Sequence, residues 1–210
     1  MLTAWILLLA FLLLVAANAL FVAVEFSFLT VDREAVRSAA ASGDKIALVA
    51  ERSLKKTSTN LSGAQLGITV TGLLVGYVAE PLIGQGVGTL LGGVGVPTAV
   101  GIGIGAVLAV GLSTVAQMVF GELVPKNWAI AEPSKVADLV VRPQNVFMFV
   151  FGWLVSLLNA SANQILRWLG FDPREEVANA RSSQELAAVV SRSGEEGTLD
   201  AATAELVARS

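Results

Sequence analysis

The chain has 210 residues, of which 54% are hydrophobic and only 15% charged, with a formal net charge of -3. An ordinary soluble domain carries about 25% charge, so most of this chain belongs in lipid. It contains no histidine and no cysteine, which excludes disulfide scaffolds, thiolate zinc sites, imidazole ligation and Ser-His-Asp or Cys-His catalysis, and leaves oxygen as the available ligand chemistry. The net charge conceals an asymmetry: residues 1–170 hold 9 acids and 10 bases, whereas residues 171–210 hold 8 acids and 4 bases.

The first apolar run covers residues 2–29 and its single ionisable residue is Glu25. That length exceeds the roughly 20 residues a helix needs to cross a bilayer, so a first span over about 2–30 is expected. Ala17-Asn18-Ala19 resembles a signal-peptidase site only faintly. No basic residue precedes Arg33 and the apolar run continues beyond it, so the segment is expected to stay as a span. On a straight helix Asn18, Val22 and Glu25 share one face, while Ser27 points about 200° away from Glu25. The two side chains then cannot converge on one ion without a kink or a backbone contribution.

Residues 33–56 carry Arg33, Arg37, Lys45, Arg52, Lys55 and Lys56, whereas the connection over 80–97 has no base. The positive-inside rule puts the first connection in the cytoplasm and the N-terminus outside. A second span is expected over about 60–80. Its Ser62, Gln65, Thr69, Gly72 and Gly76 recur at three- and four-residue steps on one face, with Thr71 off that face. Such stripes commonly serve close packing between membrane helices, and Gln65 and Thr69 are equally open to a role in a site. Residues 84–95, rich in glycine, read as a loop.

The third span is expected over about 98–124. Gly101, Gly105, Ala109, Ser113, Gln117 and Gly121 follow at intervals of four, a stripe that winds around the helix and can touch more than one neighbour. It closes on Gly121-Glu122-Leu123-Val124-Pro125-Lys126. Pro125 lacks an amide hydrogen and so frees the Gly121 carbonyl beside the Glu122 carboxylate, a plausible ligand pair for a hard cation. Glu122 and Lys126, at i and i+4, can equally form a salt bridge. Ionisable groups at membrane depth are costly, which makes Glu25 and Glu122 the first places to look for a site.

Beyond it, residues 146–169 are apolar enough for a fourth span, yet Arg142 and Arg167 flank them on both sides and Asn145, Asn159, Asn163 and Gln164 suit lipid poorly. Residues 141–170 are therefore expected to form interfacial or re-entrant helices on the cytoplasmic side. The acidic segment 171–210 restarts as soluble helical structure, with a capping box at Ser182-Ser183-Gln184-Glu185. An Asp200-led helix then runs into Ser210, which reads as the approach to a further cytoplasmic domain. The fold class expected is an all-α integral membrane protein with three transmembrane helices per subunit. Magnesium, calcium and sodium all suit an oxygen-only ligand inventory.

Asn18-Ala19-Leu20-Phe21 and Ala23-Val24-Glu25-Phe26-Ser27 in the first span, Leu61-Ser62-Gly63-Ala64-Gln65-Leu66-Gly67-Ile68-Thr69 in the second, and the Gly121-to-Lys126 motif in the third together resemble the DUF21 transmembrane domain of the CorC/CNNM, or hemolysin-like, magnesium transporters. Ser183-Gln184-Glu185-Leu186 and Gly194-Glu195-Glu196-Gly197-Thr198-Leu199-Asp200 resemble the helical segment before that family's CBS-domain pair. The resemblance implies a homodimer in the cell membrane, a belt helix along the bilayer, and a cytoplasm-facing Mg2+ site. It implies Mg2+ export, in some members coupled to Na+, and ATP binding in the CBS pair, which these 210 residues do not include. Position by position it implies metal ligation by Glu122 and the Gly121 backbone, by Ser27 and its neighbourhood including Glu25, and by Gln65 to Thr69. Asn18, Pro125 and Lys126 are expected to shape the turn and its surroundings. Val22 and Glu25 depart from the animal members, which have serine and asparagine there. The expected function is a magnesium transporter domain, not an enzyme, with lipid and a second copy as partners and no nucleic acid. The alternative is a Mg2+-sensing membrane scaffold that regulates a partner without transporting. An intramembrane hydrolase finds no HExxH, paired intramembrane aspartates or Ser/His couple to support it.

Overall fold

A computed structural model describes residues 2–92 and 98–171, and all of the regular structure in them is helical. The order is α1 (Leu2–Thr30), α2 (Arg33–Ala41), α3 (Lys45–Leu54), α4 (Thr57–Gly92), α5 (Thr98–Ala116), a π-helical segment (Gln117–Leu123), α6 (Val124–Ala131) and α7 (Pro133–Trp168). The capping box and the Asp200-led helix expected in the acidic tail lie outside the described residues.

The two short helices between the first long ones are set by aspartates. Asp32 accepts from the amides of Glu34 and Ala35 at 2.9 and 3.2 Å, and Asp44 from those of Ile46 and Ala47 at 2.7 and 3.2 Å. Each carboxylate satisfies two orphan amides and complements the positive end of its helix. Gly43 makes the turn between them at φ 96°, a conformation that a residue with a Cβ seldom adopts. Both helices are amphipathic, and they bury Val36 and Ala40 from α2 and Ala47, Ala50 and Leu54 from α3.

Of these, Val36, Ala50 and Leu54 join the core at one end of the bundle. Val24 and Phe28 of α1, Val31 just after it, Ala64 of α4, Ala129 of α6, and Val136, Ala137, Val140 and Val141 of α7 complete it. Away from that end the long helices show lipid-type surfaces: Leu9, Leu73, Tyr77, Val107, Phe149 and Trp153 are all exposed. In water such area would be an aggregation liability, whereas hydrocarbon accepts it without cost.

Three boundaries differ from the sequence reading. α4 runs through Pro81 to Gly92, so residues 84–92 of the expected loop are helical. A proline within a membrane helix loses one hydrogen bond that neighbouring groups can replace, and glycine is common in such helices. The third apolar segment does not stop near 124: it widens into the π-helical segment and continues as α6 to Ala131. Residues 141–170 are not a helix pair. They belong to one unbroken helix that starts at Pro133, contains Pro143 and reaches Trp168. Its 36 residues extend about 54 Å at 1.5 Å per residue. Among the described residues four helices are therefore long and apolar enough to cross a membrane, one more than the flanking charges suggest: Thr3–Thr30, Thr57–Ala79, Gly103–Ala131 and Pro133–Trp168.

Close approach of α4 to its neighbours depends on glycine. A Cβ on Gly67 would lie 2.5 Å from the Phe21 ring, and that ring stands edge-on to Phe147 of α7 with centroids 4.7 Å apart. The absence of a side chain at Gly67 thus lets α1 and α4 meet over an aromatic contact to α7.

Candidate functional site

Asn18 is fully buried near the middle of α1, and both ends of its amide are engaged across helices. Its Nδ2 donates to the Gly121 carbonyl at 3.0 Å, and its Oδ1 accepts from the Thr71 hydroxyl of α4 at 2.8 Å. Thr71 Oγ1 also lies 2.7 Å from its own helix's Gly67 carbonyl. The hydroxyl has one proton, and giving it to Asn18 leaves the buried amide oxygen satisfied. One polar junction thereby ties α1, α4 and the π-helical segment together.

Local sequence explains why Gly121 is available. The α-helical donor to its carbonyl would be the amide of residue 125, which is a proline. The helix responds by widening to a π turn, and π-bulges recur at functional sites. Gly121 is buried, with Asn18 Nδ2 only 3.1 Å and Gln117 Cγ 3.3 Å from where a Cβ would stand. Gln117 in turn sits over Gly72 of α4, its Nε2 2.9 Å from the position of a Cβ there. Two glycines therefore make room for two side-chain amides between the helices.

The expected site residues fall into separate places. Gly121 and Asn18 meet directly, Glu122 follows Gly121 with its side chain exposed, and Pro125 is buried in the first turn of α6. Ser27 is fully buried among the core side chains, where its hydroxyl donates to the Val24 carbonyl of its own helix at 3.3 Å. Glu25 is half-buried on another side of α1, within electrostatic reach of Lys126. Lys126 places its ammonium 4.6 Å from the centroid of the Phe26 ring. No ion pair joins Lys126 to Glu122 among the described residues, and Lys126 is held against α1 instead. Gln65 and Thr69 are exposed on α4, where they line a groove of about 320 Å³ with Val155 and Asn159 of α7, and the Thr69 hydroxyl donates to the Gln65 carbonyl at 2.8 Å.

Thr71 is the residue that the sequence reading passed over. It lies off the Ser62-Gln65-Thr69 stripe, and its own face is the one that meets α1. The signal was Gly63, Gly67 and Thr71 at four-residue steps, a small-residue stripe of the kind that brings membrane helices together. Among the described residues no three acidic side chains gather at one point. Any cation held here would rely on single carboxylates supplemented by carbonyl, amide and hydroxyl oxygens.

Residues 8–203 match the cyclin M (CNNM) transmembrane N-terminal domain. The chain belongs to this family. Relatives include the UPF0053 protein MT1890 of Mycobacterium tuberculosis (strain CDC 1551 / Oshkosh), 42% identical over 202 residues, which cover 96% of this chain and 44% of that protein. The UPF0053 protein YhdT of Bacillus subtilis (strain 168) is 31% identical over 187 residues, covering 89% of this chain and 41% of YhdT. Rv1841c of M. tuberculosis (strain ATCC 25618 / H37Rv) is 35% identical over 189 residues, covering 90% of this chain and 54% of Rv1841c. The chain thus spans about half the length of the relatives it matches. It is a CNNM-type, multi-pass membrane domain, and the Asn18–Thr71–Gly121 junction lies where three of its long helices meet.

Proposed function

We propose that this CNNM-family domain moves Mg2+ across the cell membrane through a site centred on the Gly121–Glu122 turn. The observation that carries the reading is the π-helical turn itself. Pro125 removes the α-helical donor to the Gly121 carbonyl, Asn18 holds that carbonyl in place with one hydrogen bond, and the next residue is a carboxylate. A carbonyl has a second lone pair, so a carbonyl and a neighbouring carboxylate offer a hard cation two oxygens of the type that magnesium prefers. Magnesium keeps several waters when bound by one or two carboxylates, which suits a site without an acidic cluster.

The direction of transport is export, with a Na+ gradient as the driving force, and the first connection with its six bases faces the cytoplasm. The N-terminus is outside. Two copies make the working unit: Gln65, Thr69 and Glu122 are polar and exposed on apolar helices, and a second copy would cover them at less cost than lipid. The lack of histidine and cysteine rules out imidazole and thiol catalysis, and we read the domain as a transporter, not an enzyme.

The test is Mg2+ flux in proteoliposomes containing the purified chain, read by a trapped fluorescent indicator. Glu122→Ala should reduce flux to the level of protein-free vesicles while the helical content and oligomeric state persist, and an outward-to-inward Na+ gradient should accelerate it in the unaltered protein. Unchanged flux in the variant would remove Glu122 from the mechanism. Absence of flux in the unaltered protein, combined with a Mg2+-dependent rise in its thermal midpoint, would make the domain a sensor.

A further inference from the structure

A second binding surface lies outside the Asn18–Gly121 junction, where α3, the start of α4 and α7 enclose a groove of about 750 Å³. One wall carries Arg52, Lys55 and Lys56. Lys55 pairs with Glu51 at 2.9 Å, which offsets one of the three positive charges, while no ion pair is found for Arg52 or Lys56 among the described residues. The opposite wall is α7, where Phe149 is 91% exposed. Between them the floor is polar and hydrogen-bonded. The Ser53 hydroxyl donates to Asn145 Oδ1 at 3.0 Å, and Asn60 Nδ2 donates to the Ser53 carbonyl at 3.0 Å.

The place of this groove is as informative as its lining. Lys55 and Lys56 immediately precede Thr57, the first residue of a helix long and apolar enough to cross a membrane. Val146, Phe149 and Trp153 are spaced for one face of α7 and are all exposed, so an apolar track leads along that helix from the basic wall. A ligand that fits must be anionic at one end and hydrocarbon at the other. A free phosphate would leave the apolar wall uncovered, and a zwitterionic lipid would bring its own ammonium group against Arg52 and Lys56.

We propose that this groove binds one acidic phospholipid, its phosphate against Arg52, Lys55 and Lys56 and an acyl chain along Phe149. Basic pockets between membrane helices hold anionic headgroups in this way, each base near the surface being worth about 1 kcal/mol, or roughly fivefold in affinity. The inference depends on the membrane character of the chain and is independent of whether it carries magnesium.

Native mass spectrometry of the purified chain, titrated with dioleoylphosphatidylglycerol or dioleoylphosphatidylcholine, tests it. The anionic lipid should be retained in preference to the zwitterionic one, and the triple variant R52Q/K55Q/K56Q should lose about tenfold or more of that retention. Lys45→Gln, an exposed base outside the groove, should retain it, and Phe149→Ser should weaken it severalfold with all the charges in place. Circular dichroism checks that each variant is folded. Equal retention of the two lipids, or a triple variant that binds as before, would overturn the proposal. Displacement of the lipid by free sn-glycerol 1-phosphate at equal concentration would overturn it too, by assigning the basic wall to a soluble phosphate.

Discussion

Asn18 donates from Nδ2 to the carbonyl of Gly121 at 3.0 Å, across 103 positions of sequence, and through its Oδ1 accepts from Thr71. Both bonds are buried, so the three groups depend on one another. Asn18→Ala removes two hydrogen bonds and leaves the Gly121 carbonyl without the donor that compensates for Pro125. Such a loss is expected to cost about 1–3 kcal/mol, toward the lower figure if membrane hydrogen bonds are as modest as measured averages suggest. Thr71→Val keeps the shape and removes only the hydroxyl, with an expected cost of about 1 kcal/mol. Because both substitutions break the same bond, the double variant should be less destabilised than the sum of the two. Thermal midpoints in detergent measure this directly, and simple additivity would mean that the Thr71 proton goes to Gly67 instead.

One member of this junction, the Gly121 carbonyl, could be read from sequence, and the remainder fails for definite reasons. Apolar runs of about twenty residues were enough to place the first three long helices, whereas the two Asp-capped short helices over 33–54 are not part of that reading, which takes the segment only as a basic connection. The Gly-Glu-x-x-Pro motif pointed to a freed carbonyl because proline lacks a donor, a purely local fact. Asn18 as its partner depends on which face of α1 meets which neighbour, and with three possible neighbours the helical wheel does not decide. Thr71 was missed because polarity drew attention to Gln65 and Thr69, whereas the packing face was marked by small residues. The continuity of α7 was missed because Arg142 and Arg167 argue about where a helix sits in a membrane. They say nothing about whether it is interrupted.

The glycines of α4 should respond unequally to alanine. At Gly67 the new methyl group would meet the Phe21 ring at 2.5 Å, and that ring is fixed by its contact with Phe147. At Gly63 the clash is with the Met148 sulfur, near the end of a flexible side chain. Gly67→Ala should therefore destabilise by about 1–3 kcal/mol, the usual cost of overpacking, and Gly63→Ala by clearly less. A chemical or thermal melt that ranks them in the reverse order would mean that α1 and α4 separate more readily than their packing implies.

Gln144 carries the opposite kind of defect. It is fully buried, its Nε2 donates to the Asn60 carbonyl at 3.1 Å, and its Oε1 has no partner among the described residues. A buried acceptor without a donor costs about 1–3 kcal/mol. The Asn60 carbonyl lies inside α4 and keeps a helical donor without Gln144. Gln144→Leu should consequently leave stability unchanged or raise it, although it deletes a buried hydrogen bond. A fall of the thermal midpoint by several degrees would indicate that an internal water satisfies Oε1 in the membrane.

Glu51 offers a check on the lipid groove that also has a definite pH dependence. The Lys55 ammonium, bonded to it at 2.9 Å, holds its carboxyl below the usual glutamate range. A carboxylate lowered on folding stabilises the protein above its ordinary pKa, and that contribution disappears as the pH falls through the lowered value. Glu51→Gln should thus cost little at neutral pH, since surface pairs contribute little, and the difference between the two proteins should vanish in acid. The same substitution frees Lys55 and removes the negative charge beside the basic wall. Retention of dioleoylphosphatidylglycerol should accordingly rise about severalfold at neutral pH, in line with the worth of one surface charge. If retention fell instead, Lys55 would have to reach the phosphate only while Glu51 orients it, and the charge count that underlies the groove would need to be replaced by a geometric one.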